Sequence, residues 1–389
     1  MNSYSYSELI ADLKQRALYR RLRTIDEVDG TRVSRAGRSL VNFASNDYLG
    51  LTEHPKLKMA AAEAAQRFGA GTGASRLLTG TLAIHSELET RLASFKQTPA
   101  ALTFESGYAA ALGTIPALFG QGDVIILDKL AHASLIDGAR LSGAEIRVYP
   151  HNRLERLEEL LNWARQKRSG AKVLIVTESI FSMDGDSCPL TEIVDLKDEF
   201  GAVLLLDEAH ATGVIGPNGA GLAAACGLIG RVDIHLGTLS KAVGSSGGFI
   251  AGPADLIDVL INRARTFIYS TAPPPAAIAA AIVGLDIIAS ENGDQLRKAL
   301  WRNHAELTAN LNQSSPEATR SAIVPIVVGL EEQALSLSEQ LAERGFLVPA
   351  VRFPTVPRGS ARLRVTLSAA HQMQDVVDLR EAINALHDG

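Results

Sequence analysis

Between residues 101 and 251, short apolar runs alternate with segments of helical period, and this alternation constrains the architecture more than any other feature. The runs at 101–104, 124–127, 145–149, 173–177, 203–206, 234–236 and 248–251 have the length of strands. Helical spacing fills 108–119, 154–167 and 190–200 between them. Strands that are apolar on both faces must be covered on both faces. The pattern therefore predicts an α/β chain with a mostly parallel, seven-stranded sheet between layers of helices. Ligands of such sheets bind beyond the carboxyl ends of the strands.

Other segments frame this unit. Leu9, Ile10, Leu13, Ala17, Leu18 and Leu22 share one face, which predicts an amphipathic helix over 7–23. Asp29-Gly30 and Ala36-Gly37 mark turns between short strands in 28–43. A helix is expected over 55–68, capped by Gly69. Pro273-Pro274-Pro275 breaks the alternation, and an alanine-rich helix follows to about Ser290. Helices over 295–311, 331–344 and 373–386 then surround strands at 322–328, 346–351 and 361–366. The expected division is an N-terminal helix and small-strand segment (1–48), a large cofactor-binding domain (49–285) and a small α+β domain (286–389).

Composition removes several function classes. The chain carries 38 Lys and Arg against 43 Asp and Glu, a net charge of −5, so no surface for nucleic acid is expected. Cys188 and Cys226 are the only cysteines, too few for a disulfide framework and not spaced as metal ligands; inert, partly buried thiols and no metal are expected. Residues 1–15 contain no apolar signal core, and the apolar stretch 276–285 is interrupted by Asp286, far short of a spanning helix. The expectation is a soluble, cytoplasmic protein with no membrane partner.

The chemistry is concentrated at two strand ends. Leu204-Leu205-Leu206-Asp207-Glu208-Ala209-His210 places a carboxylate and an imidazole at the mouth of a buried strand. The next strand leads into Gly237-Thr238-Leu239-Ser240-Lys241-Ala242-Val243-Gly244, a small-residue turn with one lysine. Lysine, aspartate and histidine at adjacent strand ends suit pyridoxal phosphate: the amine makes the Schiff base and the carboxylate keeps a proton on the pyridine nitrogen. Asp207 is either that carboxylate or a helix cap, and burial after four aliphatics calls for a cationic partner. His210 is placed to donate to the phenolic oxygen of the ring. Gly107 and Tyr108, between a strand and a helix, offer N–H groups to a phosphate, with the Thr238 hydroxyl beside them. His132 follows a strand end and is either a satisfied core group or a ring stacked on the cofactor. Arg352 is either exposed or a bidentate fork for a substrate carboxylate.

Two competing motifs fail. The Leu-Leu-Leu-Asp-Glu-Ala-His string also matches a Walker B element, but no Gly-Lys pair exists to build the phosphate loop that must accompany it. Gly69-Ala70-Gly71-Thr72-Gly73 leaves a helix rather than a strand, so it is read as a tight loop and not as a dinucleotide fingerprint.

Together the segments resemble the α-oxoamine synthases, fold-type I pyridoxal phosphate enzymes that join an amino acid to an acyl thioester with loss of carbon dioxide. The markers are Ser45-Asn46-Asp47-Tyr48-Leu49-Gly50-Leu51, Thr177-Glu178-Ser179-Ile180-Phe181-Ser182-Met183-Asp184-Gly185-Asp186, Asp207 to Gly213, Gly237 to Lys241 and Pro354-Thr355-Val356-Pro357. Ser75-Arg76-Leu77-Leu78-Thr79-Gly80, Ile268-Tyr269-Ser270-Thr271 and Ala361 to Leu367 favour the member that uses L-alanine and a pimeloyl thioester, on coenzyme A or a carrier protein. Glycine C-acetyltransferase and 5-aminolevulinate synthase are the alternatives. The resemblance implies that Lys241 tethers the cofactor, Asp207 meets the ring nitrogen and His132 stacks on the ring and lies beside the substrate. It places Ser179 and His210 near the phenolic oxygen, and Gly107, Tyr108 and Thr238 on the cofactor. It gives Arg352 to the amino-acid carboxylate, Thr355, Asn46 and Arg20 (with Arg21 and Arg23 as alternatives to Arg20) to the substrates, and implies a homodimer with sites at the interface.

Overall fold

The computed structural model describes residues 5–16, 18–309, 311 and 321–387. Ala17 and the first four residues of the segment searched for a signal core lie outside them. Helix α1 (Tyr6–Gln15) is capped by the Ser5 hydroxyl and buries none of its residues. The expected helix ran on to Arg23, yet Leu22 is fully exposed. Instead the N–H groups of Leu18 and Tyr19 both return to Leu13 O, at 2.8 and 3.1 Å, and close the helix end.

Strands β1 (Glu27–Asp29), β2 (Arg32–Arg35) and β3 (Arg38–Asn42) form an antiparallel meander; one turn is the expected Ala36-Gly37, and the other is Gly30-Thr31, one residue past the expected Asp29-Gly30 because Asp29 pairs with Arg32. Helix α2 (Pro55–Phe68) starts with proline in its first turn and ends at Gly69, which has a φ of +91°. Helix α3 (Ala83–Lys96) follows a π-helical turn at Arg76–Gly80.

The large sheet comprises β4 (Ala100–Phe104), β5 (Val124–Asp128), β6 (Glu145–Tyr149), β7 (Val173–Glu178), β8 (Val203–Asp207), β9 (Ile234–Thr238) and β10 (Gly248–Gly252). Their order is β4-β10-β9-β8-β7-β5-β6; β10 alone runs opposite to the other six strands. The connections include α4 (Gly107–Leu118), α5 (Ala133–Ser142), α6 (Leu154–Lys167), α7 (Leu190–Phe200) and the short α8 (Leu222–Ala225). One core packs α4 and α5 against the sheet, and another packs α6 and α7. Leu204, Leu205 and Leu206 have no exposed surface, as strands covered on both faces require.

Helices α9 (Ala254–Arg263), α10 (Arg265–Ile268), α11 (Pro275–Ile288) and α12 (Glu291–Thr308) lead to the C-terminal region. There β11 (Ile323–Gly329), α13 (Glu331–Glu343), β12 (Phe346–Leu347), β13 (Ala350–Val351), β14 (Ala361–Thr366) and α14 (Met373–His387) complete the chain. The single strand expected over 346–351 is two strands. Pro349 cannot donate to a ladder, and the pieces on either side of it join different sheets: β12 pairs with β3, β13 with β14. Through β12 the N-terminal meander is continuous with the C-terminal region. Phe43 also stacks on His371, centroids 4.1 Å apart. Among the described residues no single helix is long and apolar enough to cross a membrane. Cys188 is buried as expected, whereas Cys226 is exposed because it follows the short surface helix α8.

Candidate active site

Lys241 follows β9 in a turn made of small residues for a steric reason. A Cβ on Gly237 would stand 2.3 Å from the Phe249 ring, and one on Gly244, at φ +75°, 2.7 Å from Leu51. The Lys241 side chain enters a cavity of about 210 Å³ at the carboxyl ends of β7, β8 and β9. Asp207, His210, His132, Gly107, Tyr108 and Thr238 line the same cavity, and so do Glu178, Ser134 and Ser240. Gly107 opens α4 behind an N-cap, Ser106, whose hydroxyl accepts from Ala109 N at 3.0 Å. The first N–H groups of a helix have no partner inside it, so this end of the cavity favours an anion. Thr238 Oγ1 lies 2.7 Å from Ser240 Oγ on the same side and donates to Gly247 O at 2.9 Å.

Asp207 ends β8 in register with Glu178 on β7. Its Oδ1 accepts from Ala209 N at 2.8 Å, the local bond of a capping aspartate, while its side chain still lines the cavity. Burial raises its pKa, with Lys241 and His132 pulling against that. Glu178 is raised further, by burial and by Asp207 itself, and its Oε1 has no hydrogen-bond partner. Two adjacent carboxyls will not both ionise cheaply. Lys241 acts on both, but Asp207 also has His132 and the Ala209 N–H, so the charge falls to Asp207. Glu208, the next residue, points the other way: it pairs with Lys96 and His235 in the core and accepts from Ala223 N. Burial would raise its pKa, but Lys96 and His235 hold it at about 2.

Lys241 Nζ is 2.7 Å from His210 Nε2, and His210 Nδ1 is 2.5 Å from the Tyr48 hydroxyl. The hydroxyl donates to Asn46 Oδ1 at 3.3 Å, and Arg364 donates to the same oxygen at 3.2 and 3.3 Å. The phenol has a single hydrogen, so it cannot donate to Asn46 Oδ1 and to His210 Nδ1 at once. With that hydrogen on Asn46, Tyr48 accepts from His210 Nδ1–H, which leaves Nε2 to accept from the lysine. Burial pushes Tyr48 up to about 12 and His210 well below its ordinary value, the latter helped by Lys241 and Arg364. Burial also brings Lys241 down to about 8, against the pull of Asp207 and Glu178.

The remaining expected residues lie outside the cavity. Ser179 is buried behind it, donating both N–H and hydroxyl to the Asp207 carbonyl at 2.8 and 3.0 Å. Arg352, Thr355 and Arg20 line a different cavity, of about 1060 Å³, so the structure does not bring Arg352 to Lys241. The guanidinium linked to the lysine is Arg364, on β14. Sequence reasoning missed it, together with Tyr48 and Glu178. The available signal was Arg362-Leu363-Arg364 inside an apolar strand, where both arginines are buried and need acceptors.

An amine, a buried carboxylate one strand away, and a helix N-terminus with two hydroxyls match the aldehyde, ring nitrogen and phosphate of pyridoxal phosphate. The family model for aminotransferase class I and II matches residues 38–383. The chain belongs to that family. Within it, the chain is similar to the 8-amino-7-oxononanoate synthase of Geobacter sulfurreducens, at 47% identity over 97% of this chain and 95% of the relative. It resembles the structure of a serine palmitoyltransferase from S. paucimobilis with a PLP–myriocin aldimine bound: TM-score 0.91, 32% identity, 98% of each chain. It also resembles the 8-amino-7-oxononanoate synthase of Francisella tularensis, with TM-score 0.74, 28% identity, and 90% and 97% of the two chains covered. The fold is that of the fold-type I transferases of this aminotransferase family, and pyridoxal phosphate is the cofactor.

Proposed function

We propose that this family member condenses L-alanine with a pimeloyl thioester to give 8-amino-7-oxononanoate, carbon dioxide and the free thiol, a step of biotin biosynthesis. One observation carries the reading: Lys241 and Asp207 share one buried cavity whose far end is a helix N-terminus. When bound, pyridoxal phosphate supplies an electron-poor ring that takes up the electron pair left at the amino-acid Cα. The chain's own residues do the rest. Asp207 holds positive charge at the ring nitrogen, which a buried anion without a fixed cation requires. Gly107, Tyr108 and the Thr238 hydroxyl hold the phosphate, His132 covers the ring, and Ser179 braces Asp207 from behind. Lys241 Nζ removes the Cα proton and later returns it; its depressed pKa keeps a usable fraction neutral near pH 7. His210, kept neutral, accepts a hydrogen bond from that nitrogen without competing for its proton.

Arg364 is our candidate for the amino-acid carboxylate. A guanidinium has five N–H bonds; Ser182 O, Thr366 Oγ1 and Asn46 Oδ1 occupy four of them, leaving one on Nη2 for a substrate. Arg20, Arg352 and Thr355 belong to the acyl donor in this reading. Their cavity also holds Arg21, Arg23 and Arg35 against one acid, Glu339, a balance that suits an anionic thioester. A cytoplasmic homodimer with residues of both copies at each site completes the proposal.

Thiol release measured across alanine or glycine with pimeloyl-, acetyl- or succinyl-CoA tests the assignment. Fastest turnover with alanine and pimeloyl-CoA is the expected result. Preference for glycine with a shorter acyl group would move the chain to another α-oxoamine synthase activity.

A further inference from the structure

Away from the cavity, one cluster joins two carboxylates through an imidazole. His151 Nδ1 lies 3.0 Å from Asp128 Oδ1, and Nε2 lies 2.7 Å from Asp186 Oδ2. Asp128 closes β5, is buried, and also accepts from the backbone of Leu130 and Asn152. A neutral imidazole has one N–H; a ring with a carboxylate on each nitrogen is the cation. Burial alone would lower its pKa, but the bonds to Asp128 and Asp186 raise it to about 10. The three residues do not line the Lys241 cavity. The mechanism above leaves them idle.

What they hold is the loop 180–187. Its ends meet in an isolated bridge between Ile180 and Ser187. Phe181 N donates to Asp186 O at 2.9 Å, and Asn152 Nδ2 donates to Ser187 O at 3.0 Å. The His151 ring meets Phe181 edge-on at 4.3 Å. The other side of the loop grips the C-terminal region. Ser182 O accepts from Arg364 Nε at 2.7 Å, Met183 O accepts from Arg362 at 3.3 Å, and Asp184 pairs with Arg362. Gly185, at φ +71°, fits so closely that a Cβ would stand 2.5 Å from Ile323 O.

We infer that Asp128, His151 and Asp186 form a clamp that positions Arg364, by fixing the loop whose Ser182 carbonyl orients the guanidinium. The inference rests on the reading of Arg364 as the carboxylate grip. Charge at Arg364 is permanent, so a loosened loop leaves the attraction but no longer aims the one remaining Nη2–H at the carboxylate, and a charge-assisted hydrogen bond depends on that aim. His151, Asp128 and Asp186 are thus positioning residues, without contact to substrate.

The test compares His151→Gln, Asp186→Asn, Arg364→Ala and the double variant His151→Gln/Arg364→Ala, each as holoenzyme. L-alanine Kd is read from the cofactor's visible absorbance, and KM for each substrate from thiol release. The clamp variants should weaken alanine binding about tenfold and leave the thioester KM unchanged, with cofactor absorbance intact. In the Arg364→Ala background, His151→Gln should cost nothing further, because the group it orients is gone. Arg364→Ala that weakens alanine while neither clamp variant does so overturns the clamp alone. Arg364→Ala with unchanged alanine binding overturns the underlying grip instead. A clamp variant that merely melts earlier, at unaltered alanine Kd, has a structural role and contradicts the inference. Asp186→Asn keeps the test available should His151→Gln fail to fold.

Discussion

Lys241 is the residue on which the chemistry turns, and its environment makes it unusual. Burial brings its pKa down to about 8 from an ordinary 10.5, so the amine is protonated below that pH and nucleophilic above it. The apo-chain should therefore capture pyridoxal phosphate at a rate that rises through about pH 8, followed by stopped-flow absorbance. A midpoint near the ordinary lysine value would mean that the amine is solvated, not buried. The lysine and Asp207 were legible in the sequence because each follows an apolar strand. Arg364 was not, since it lies on a strand of the other region, over 120 positions along the chain, and nothing local in Arg362-Leu363-Arg364 says which acceptors will meet it. Arg352 drew the assignment because it follows an apolar strand beside the Pro354-Thr355-Val356-Pro357 marker of the family.

Among the elements, the strands of the large sheet agree with the apolar runs to within a residue or two, because burial on both faces leaves little ambiguity of period. Elements whose partners are distant were harder. Helix α1 is shorter than its pattern, and the strand before Pro349 leaves to pair with β3. That join has its own titratable group. His371 stacks on Phe43, its Nδ1 accepts from Ser368 N at 2.9 Å, and its Nε2 lies 3.1 Å from Asn42 O. The arrangement uses the neutral ring, and burial lowers its pKa to about 4. A folded pKa below the unfolded value of about 6.5 means that the native state binds fewer protons in between, so this contribution is present above pH 6.5 and lost as pH falls towards 4. Thermal unfolding should show Tm dropping between pH 7 and 5, and His371→Gln should flatten the drop. An equal slope in the variant would assign the acid sensitivity elsewhere.

At the scale of the whole molecule, the proposed dimer has a candidate face. The turn Arg76–Gly80 and the segment around α10 are linked by the Ser75–Thr271 bridge, and they leave Leu77, Leu78 and Tyr269 largely exposed. Clustered exposed apolar groups mark interaction surfaces more often than isolated ones do. Both segments were among the sequence markers of the family, although the sequence alone gave them no physical task. Leu78→Asp, which desolvates a charge at such a face, should shift sedimentation from dimer to monomer and reduce turnover with it. A variant that stays dimeric would send the interface elsewhere.

Lys241 and Asp207 line one cavity, and the proposed chemistry requires that both act on one cofactor there. Borohydride treatment of the protein loaded with pyridoxal phosphate, followed by peptide mapping, tests it most directly. The cofactor should be fixed on the peptide carrying Lys241, and Lys241→Ala should abolish the attachment. A label on another lysine, or a loaded protein that borohydride leaves unlabelled, would contradict it.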